Sequence, residues 1–240
     1  MQLIRSFKVL LIVALIVPAA NAAQVRRRAP ASGSTGIATR LKQLPGVVEK
    51  AVHEGKTPGA VVLVGHDGAV VYRRAIGYRQ LVPRKLPMNM DTMFDMASCT
   101  KIVATTTAIM QLFEQGKIRL DDPVSEYWPE FAANGKQDIT VRELMTHYSG
   151  MPPDLDLSYD WSGYDTAMKM IVDTAPIMPP GTRFMYSDIN FETLGELVHR
   201  VSGEPLNEYC ERHIFKPLGM TSTMFVPPAT MRYRIAPTQH

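Results

Sequence analysis

The chain has 240 residues, 45% hydrophobic and 20% charged, a composition that supports one large domain or two small ones and excludes a disordered chain. Its net charge is +3, and Arg26, Arg27 and Arg28 account for that excess. No basic stripe interleaved with aromatics is present, which argues against nucleic acid as a partner.

The N-terminus reads as an export signal. Arg5 and Lys8 make a positive start, residues 9–17 are an unbroken apolar run, and Pro18 breaks it. Ala20-Asn21-Ala22 then offers a small-x-small cleavage site, giving a signal peptide over residues 1–22 and a periplasmic or secreted product. The apolar run is short for a bilayer span. The three arginines that follow resist translocation, so membrane attachment is expected only where the signal stays uncleaved. Residues 23–35, rich in Ala, Arg, Pro, Ser and Gly, read as a flexible mature N-terminus, and residues 36–240 as the folded part.

Within it, residues 36–116 open with apolar positions Ile37, Leu41, Leu44, Val47, Val48 and Val52 at helical spacing, with Pro45 expected as a kink or break. Two β-branched runs, 60–64 and 69–72, flank His66-Asp67-Gly68, a strong hairpin signal that makes His66 a turn residue. A two-stranded hairpin is marginal alone, so further strands or packed helices are needed. Ser98 starts a long helical pattern through Ile102, Ala108, Ile109, Met110, Leu112 and Phe113, ended by Gly116. Residues 117–240 read as mostly helical, with segments at 122–131, 140–146, 165–172, 188–201 and 206–214 between loops rich in Pro and Gly.

The chemistry concentrates at Ser98-Cys99-Thr100-Lys101 and Tyr186-Ser187-Asp188. A serine hydroxyl is a weak nucleophile and needs an adjacent base. Residues i and i+3 share a helix face, so Lys101 can bring its amine to Ser98 Oγ. That amine acts as a base only where desolvation or nearby positive charge lowers its pKa. Tyr186, delivered to the same spot, can relay the proton to a leaving group. Asp188 can accept a hydrogen bond from Lys101 or from a substrate amide, and the backbone N–H at the helix start suits a developing oxyanion. The bland alternative is a capping Ser98 and a surface Lys101. The six histidines include no i, i+4 pair and the two cysteines are isolated, so neither a metal nor an organic cofactor is expected. Cys99 and Cys210 read as two packed, unpaired thiols.

Four stretches together carry a family resemblance. Ser98-Cys99-Thr100-Lys101, led by Phe94-Asp95-Met96-Ala97, resembles the Ser-x-x-Lys element of the penicillin-recognising serine hydrolases. Leu144-Met145-Thr146-His147-Tyr148-Ser149-Gly150, the segment from Pro180 through Tyr186-Ser187-Asp188, and Pro217-Leu218-Gly219-Met220 are similar to other family segments. The nearest branch is that of class C β-lactamases, D-Ala-D-Ala peptidases and β-lactamase-like esterases, and the likeness covers roughly residues 41–238.

The resemblance implies an α/β (α+β) fold of the β-lactamase/transpeptidase-like type, an antiparallel sheet domain with an all-helical lobe and an active cleft between them. It also implies Ser98 as the acylated nucleophile, Lys101 and Tyr186 as the proton-transfer pair, and a structural role for His147. Asp188 stands where the family more often has Asn. The substrates implied are a small-molecule ester, a β-lactam or a D-amino-acid peptide. No Lys-Thr-Gly or His-x-Gly element follows Tyr186, so the later sheet strands are expected to be missing from this chain. The alternative functional reading is therefore a non-catalytic penicillin-recognising module or an inactive truncated fragment.

Overall fold

Leu44–His53 forms the first helix, α1, in the computed structural model, which describes residues 39–238. The expected signal peptide (1–22) and flexible N-terminus (23–35) lie outside the described residues. Pro45 lies in the first turn of α1, where a missing N–H costs nothing, and the expected break falls just before it, at the turn Lys42-Gln43 between helical residues 39–41 and Leu44. Two antiparallel strands follow, β1 (Gly59–His66) and β2 (Ala69–Gln80), joined by Asp67-Gly68. Both turn residues have positive φ, 49° and 73°, the backbone of a type I′ turn whose twist matches that of the strands it joins.

A third strand, β3 (Leu86–Pro87), pairs antiparallel with β2 and gives the order β1-β2-β3. Its two residues are too short to leave a periodic signal. α1 packs on β1 and β2, and Ile76 and Met88 are the buried apolar residues of this part. The returning segment 226–238 joins the same unit: Met93 bridges Ile235 in parallel, and Arg234 Nε donates to the Asp91 carbonyl at 3.0 Å.

A second compact unit, residues 96–225, is helical. The segment after Ser98 runs through a wide π-turn, Lys101–Thr106, and continues as α2 (Thr107–Glu114). The buried face runs through Ala104, Thr105, Ala108, Ile109 and Leu112, while Ile102, expected on the apolar stripe, stands 70% exposed. The π-turn advances the helix by more residues per turn and so carries Ile102 off the core face.

The helix expected over 122–131 is instead short 3₁₀ turns at Val124–Glu126 and within Pro129–Gly135, the latter interrupted by the non-helical Ala133 and Asn134. Pro129 cannot donate and pushes Trp128 to φ −138°, outside the helical region. α3 (Val141–Thr146) opens with a reciprocal cap between Thr140 and Glu143. α4 (Tyr164–Asp173) and α5 (Asp188–Ser202) follow, then α6 (Leu206–Cys210), which widens into a second π-turn over Glu211–Phe215. The core of this unit is built on Leu112, Phe131, Leu144, Ile171, Leu194 and Leu197.

One cation is buried inside this unit. Lys136, with no exposed surface, donates from Nζ to the carbonyls of Ala133, Val172 and Thr174, each at 2.7 Å. Two of these carbonyls belong to the end of α4, where backbone oxygens gather negative partial charge and want donors. Burial pushes the amine pKa down to about 8, opposed by the charge of Asp173. All three protons of the ammonium form are nevertheless matched to an acceptor. Lys136→Met is expected to strand the three carbonyls and cost about 3 kcal/mol or more. A urea titration reads this as a lower midpoint; an unchanged midpoint would show that the carbonyls find other donors.

Candidate active site

Ser98 enters the site on a strained turn. Ala97, directly before it, has φ 43°, a left-handed conformation that costs a side-chain-bearing residue about 1–2 kcal/mol. Cys99 N–H then bonds Met96 O, Thr100 N–H bonds Ala97 O and Lys101 N–H bonds Ser98 O, all at 2.9–3.1 Å. This winding places Ser98 and Lys101 side chains on one side of the helix start, as their i, i+3 spacing implies.

The second arm of the site hangs on the loop after α3. His147 takes the left-handed C-cap position, φ 61°, and its carbonyl accepts Met185 N–H at 2.8 Å. Gly150 has φ 77° and lies against the Met178 carbonyl, which occupies the space where a Cβ would stand; only glycine fits there. Pro152 O accepts the Ser187 hydroxyl at 2.6 Å and Pro153 O accepts Asp188 N–H at 2.7 Å. Below them the buried Ser149 hydroxyl donates to Asn190 Oδ1 at 2.6 Å. Chain segments far apart in sequence thereby fix Tyr186 and Asp188 at the start of α5.

The four expected residues meet. Tyr186 OH donates to Ser98 Oγ at 2.7 Å, across 88 residues of sequence. Lys101 Nζ donates to Asp188 Oδ1 at 2.6 Å and to Ser98 Oγ at 3.4 Å. The same ammonium lies 4.9 Å from the Tyr186 ring centroid and 5.8 Å from that of Phe191. Burial pulls the Lys101 pKa down, but the hydrogen bonds and charges of Asp188 and Tyr186 outweigh it, and the net shift is upward. The amine is held as a cation, although only 15% of its side chain is exposed.

A cavity of about 750 Å³ opens beside this pair within the helical unit, lined among others by Ala97, Thr100, Lys101, Asp188, Phe191 and Glu192. Burial and the neighbouring charges of Asp154 and Asp188 push the Glu192 carboxyl pKa up, with Lys101 opposing. Sequence reasoning missed Phe191 and Glu192. Their signal was the i+3 and i+4 spacing from Asp188, which puts them on the same face of α5. Cys99 and Cys210 are free thiols, and burial raises the Cys210 pKa to about 12. Among the described residues, no group of three His, Cys, Asp or Glu side chains is arranged to hold a metal ion.

A helical unit and a second unit with a small antiparallel sheet make up the β-lactamase/transpeptidase-like fold. Residues 44–240 match the beta-lactamase family model, and the chain belongs to that family. It is 32% identical over 207 residues to an N-acetylmuramyl-L-alanine amidase of Bacillus subtilis, covering 78% of this chain and 47% of that protein. The chain thus spans about half the length of the curated relatives it matches.

Among solved structures it is similar to EstCE1, a hydrolase with promiscuous acyltransferase activity, with TM-score 0.73 and 28% identity, covering 82% of this chain and 55% of that one. It is also similar to a penicillin-binding protein homologue from Caulobacter crescentus, with TM-score 0.71 and 25% identity over 84% of this chain and 54% of that one.

Proposed function

We propose that the chain carries the acyl-transfer centre of an exported serine hydrolase that acts on carboxylic esters through an acyl-Ser98 intermediate. The observation that carries this reading is the continuous contact from Asp188 through Lys101 and Ser98 to Tyr186. In the acylation step Ser98 Oγ attacks the ester carbonyl. As Ser98 attacks, the two hydroxyls, 2.7 Å apart, reverse their hydrogen bond: the Tyr186 oxygen takes the Ser98 proton and passes its own to the leaving oxygen, which departs as the alcohol, so the phenol ends the step neutral. The Lys101 ammonium stabilises the negative charge that develops on Oγ. The amides of Cys99, Thr100 and Lys101 are engaged in the turn, so the oxyanion falls to the Ser98 N–H. Water then attacks the acyl carbon, gives a proton to Tyr186, and Tyr186 returns its proton to Ser98 Oγ.

Esters rank ahead of amides because of Asp188. An ionised carboxylate only accepts hydrogen bonds, so it cannot donate to the carbonyl of a side-chain amide that flanks the scissile bond of a peptide or β-lactam, a group that a simple carboxylic ester need not carry. The likeness to EstCE1, a hydrolase with promiscuous acyltransferase activity, together with the amidase and penicillin-binding likenesses, supports the wider acyl-transfer class. The test is to incubate the full chain with a chromogenic ester and a chromogenic cephalosporin, quench in acid and map the peptides by mass. The expected result is an acyl mass increment on the peptide holding Ser98, larger with the ester. Ester turnover with the increment on another residue would overturn the assignment. Absence of turnover and of any increment would favour a binding module.

A further inference from the structure

His147 touches three consecutive residues of the arm that carries the phenol, two through hydrogen bonds and one through its ring. Its carbonyl accepts Met185 N–H at 2.8 Å, and its Nδ1 accepts Ser187 N–H at 3.1 Å. Its imidazole lies on the Tyr186 ring with centroids 4.5 Å apart and a 31° tilt. Phe191 at 5.2 Å and Phe184 at 5.8 Å close further sides of the ring, and Asn190 Nδ2 lies 3.4 Å from Nδ1. With Ser187 N–H fixed as a donor, Nδ1 must be the bare nitrogen, and the ring proton resides on Nε2.

We propose that His147 is a positioning residue for acyl transfer, holding the Tyr186 phenol on Ser98 Oγ only while its neutral ring lends Nδ1 to the Ser187 amide. The proposal rests on the serine-hydrolase reading above and extends it to a residue that touches neither Ser98 nor substrate. Protonation turns Nδ1 from acceptor to donor, sets it against the Ser187 N–H and releases the segment that aims the phenol. The charged and titratable groups facing the ring are Lys101 from the π-turn, Asp188 from α5 and the Tyr186 hydroxyl; Glu143, on its own helix, is engaged in the Thr140 cap. Burial first, then the Lys101 charge, keeps the His147 pKa below its ordinary 6.5, with Asp188 opposing. The ring is therefore more than half neutral at pH 6.5 and increasingly so above it. Its contribution to folding stability is lost as pH falls from 6.5 through the lower folded value.

Two substitutions separate positioning from bulk packing. An asparagine Oδ1 can stand near the place of Nδ1, does not titrate, and tolerates the left-handed backbone that His147 adopts. Alanine keeps no acceptor. His147→Ala is expected to lower kcat for the chromogenic ester by about ten- to a hundredfold with KM little changed, the loss that follows when a reacting group is misplaced by about 1 Å. His147→Asn is expected to recover most of that loss. The wild-type fall in kcat/KM below pH 6.5 should disappear in His147→Asn.

A wild-type kcat in His147→Ala, or an unchanged acid limb in His147→Asn, would overturn the proposal. A readout independent of turnover is the ¹³C resonance of the labelled Tyr186 ring across pH 4–8. It should follow the titration of His147, and a resonance that ignores that titration overturns positioning even where the ester assay succeeds. A Tyr186 resonance that follows His147 in a chain lacking Ser98-dependent turnover would uphold the coupling and overturn the hydrolase reading instead.

Discussion

Ester turnover is expected to vanish in Ser98→Ala and to fall about 10²–10⁴-fold in kcat in Tyr186→Phe, with KM nearly unchanged. Phenylalanine keeps the ring that packs on His147 and lies against the Lys101 ammonium, and removes only the oxygen 2.7 Å from Ser98 Oγ. The fold of α5 and its leading loop should survive, because the backbone bonds to His147 and Pro153 do not involve that oxygen. What is lost is the shuttle from nucleophile to leaving group, an interaction realised in the transition state, so the effect belongs in kcat. Steady-state kinetics on one chromogenic ester, with thermal melts of each variant, checks this. A Tyr186→Phe enzyme within threefold of wild type would move the proton-transfer role to another group, and Lys101 would be the next to test.

Asp188→Asn is expected to shift selectivity toward amide-type substrates by about ten- to a hundredfold, measured as the ratio of kcat/KM for the chromogenic cephalosporin to that for the ester. The side chain keeps its size but exchanges one acceptor oxygen for an NH₂ donor, and a hydrogen bond to a partly charged group is worth roughly 1–3 kcal/mol. The substitution also removes the carboxylate that holds Lys101 Nζ at 2.6 Å. The ammonium is then free to direct its charge at Ser98 Oγ.

A pH signature accompanies the change. Because the folded Lys101 pKa lies above its ordinary value, the pair's contribution to stability is complete below about pH 10.5 and is lost as pH rises through the folded value. That alkaline loss should shrink in Asp188→Asn. An unaltered substrate ratio would mean that Asp188 does not face the acyl side of the substrate.

Much of this was legible in the residues because the interactions involved are local. Asp67-Gly68 specifies its turn through the positive φ that glycine and aspartate tolerate. Ser98 and Lys101 share a helix face by spacing alone, and the Thr140–Glu143 cap sets the start of α3. The family segments around Ser98, His147 and Tyr186 gave the class. The helix expected over 122–131 failed on a local competitor, the prolines, which override the apolar pattern. The exposed Ile102 failed because a π-turn changes the period that the pattern assumed.

What sequence by itself determined, then, is the class of fold and the set of candidate groups, since both follow from short-range chemistry and spacing. Only the tertiary structure decided the state of those groups. Whether Lys101 is base or cation depends on a carboxylate 87 residues away, brought to 2.6 Å by loops anchored on Pro152, Pro153 and His147. Whether Lys136 is a loop lysine or a buried tie depends on three carbonyls that no periodicity reveals. Charge state and hydrogen-bond satisfaction are set by which groups share a low-dielectric volume, and the fold alone determines that.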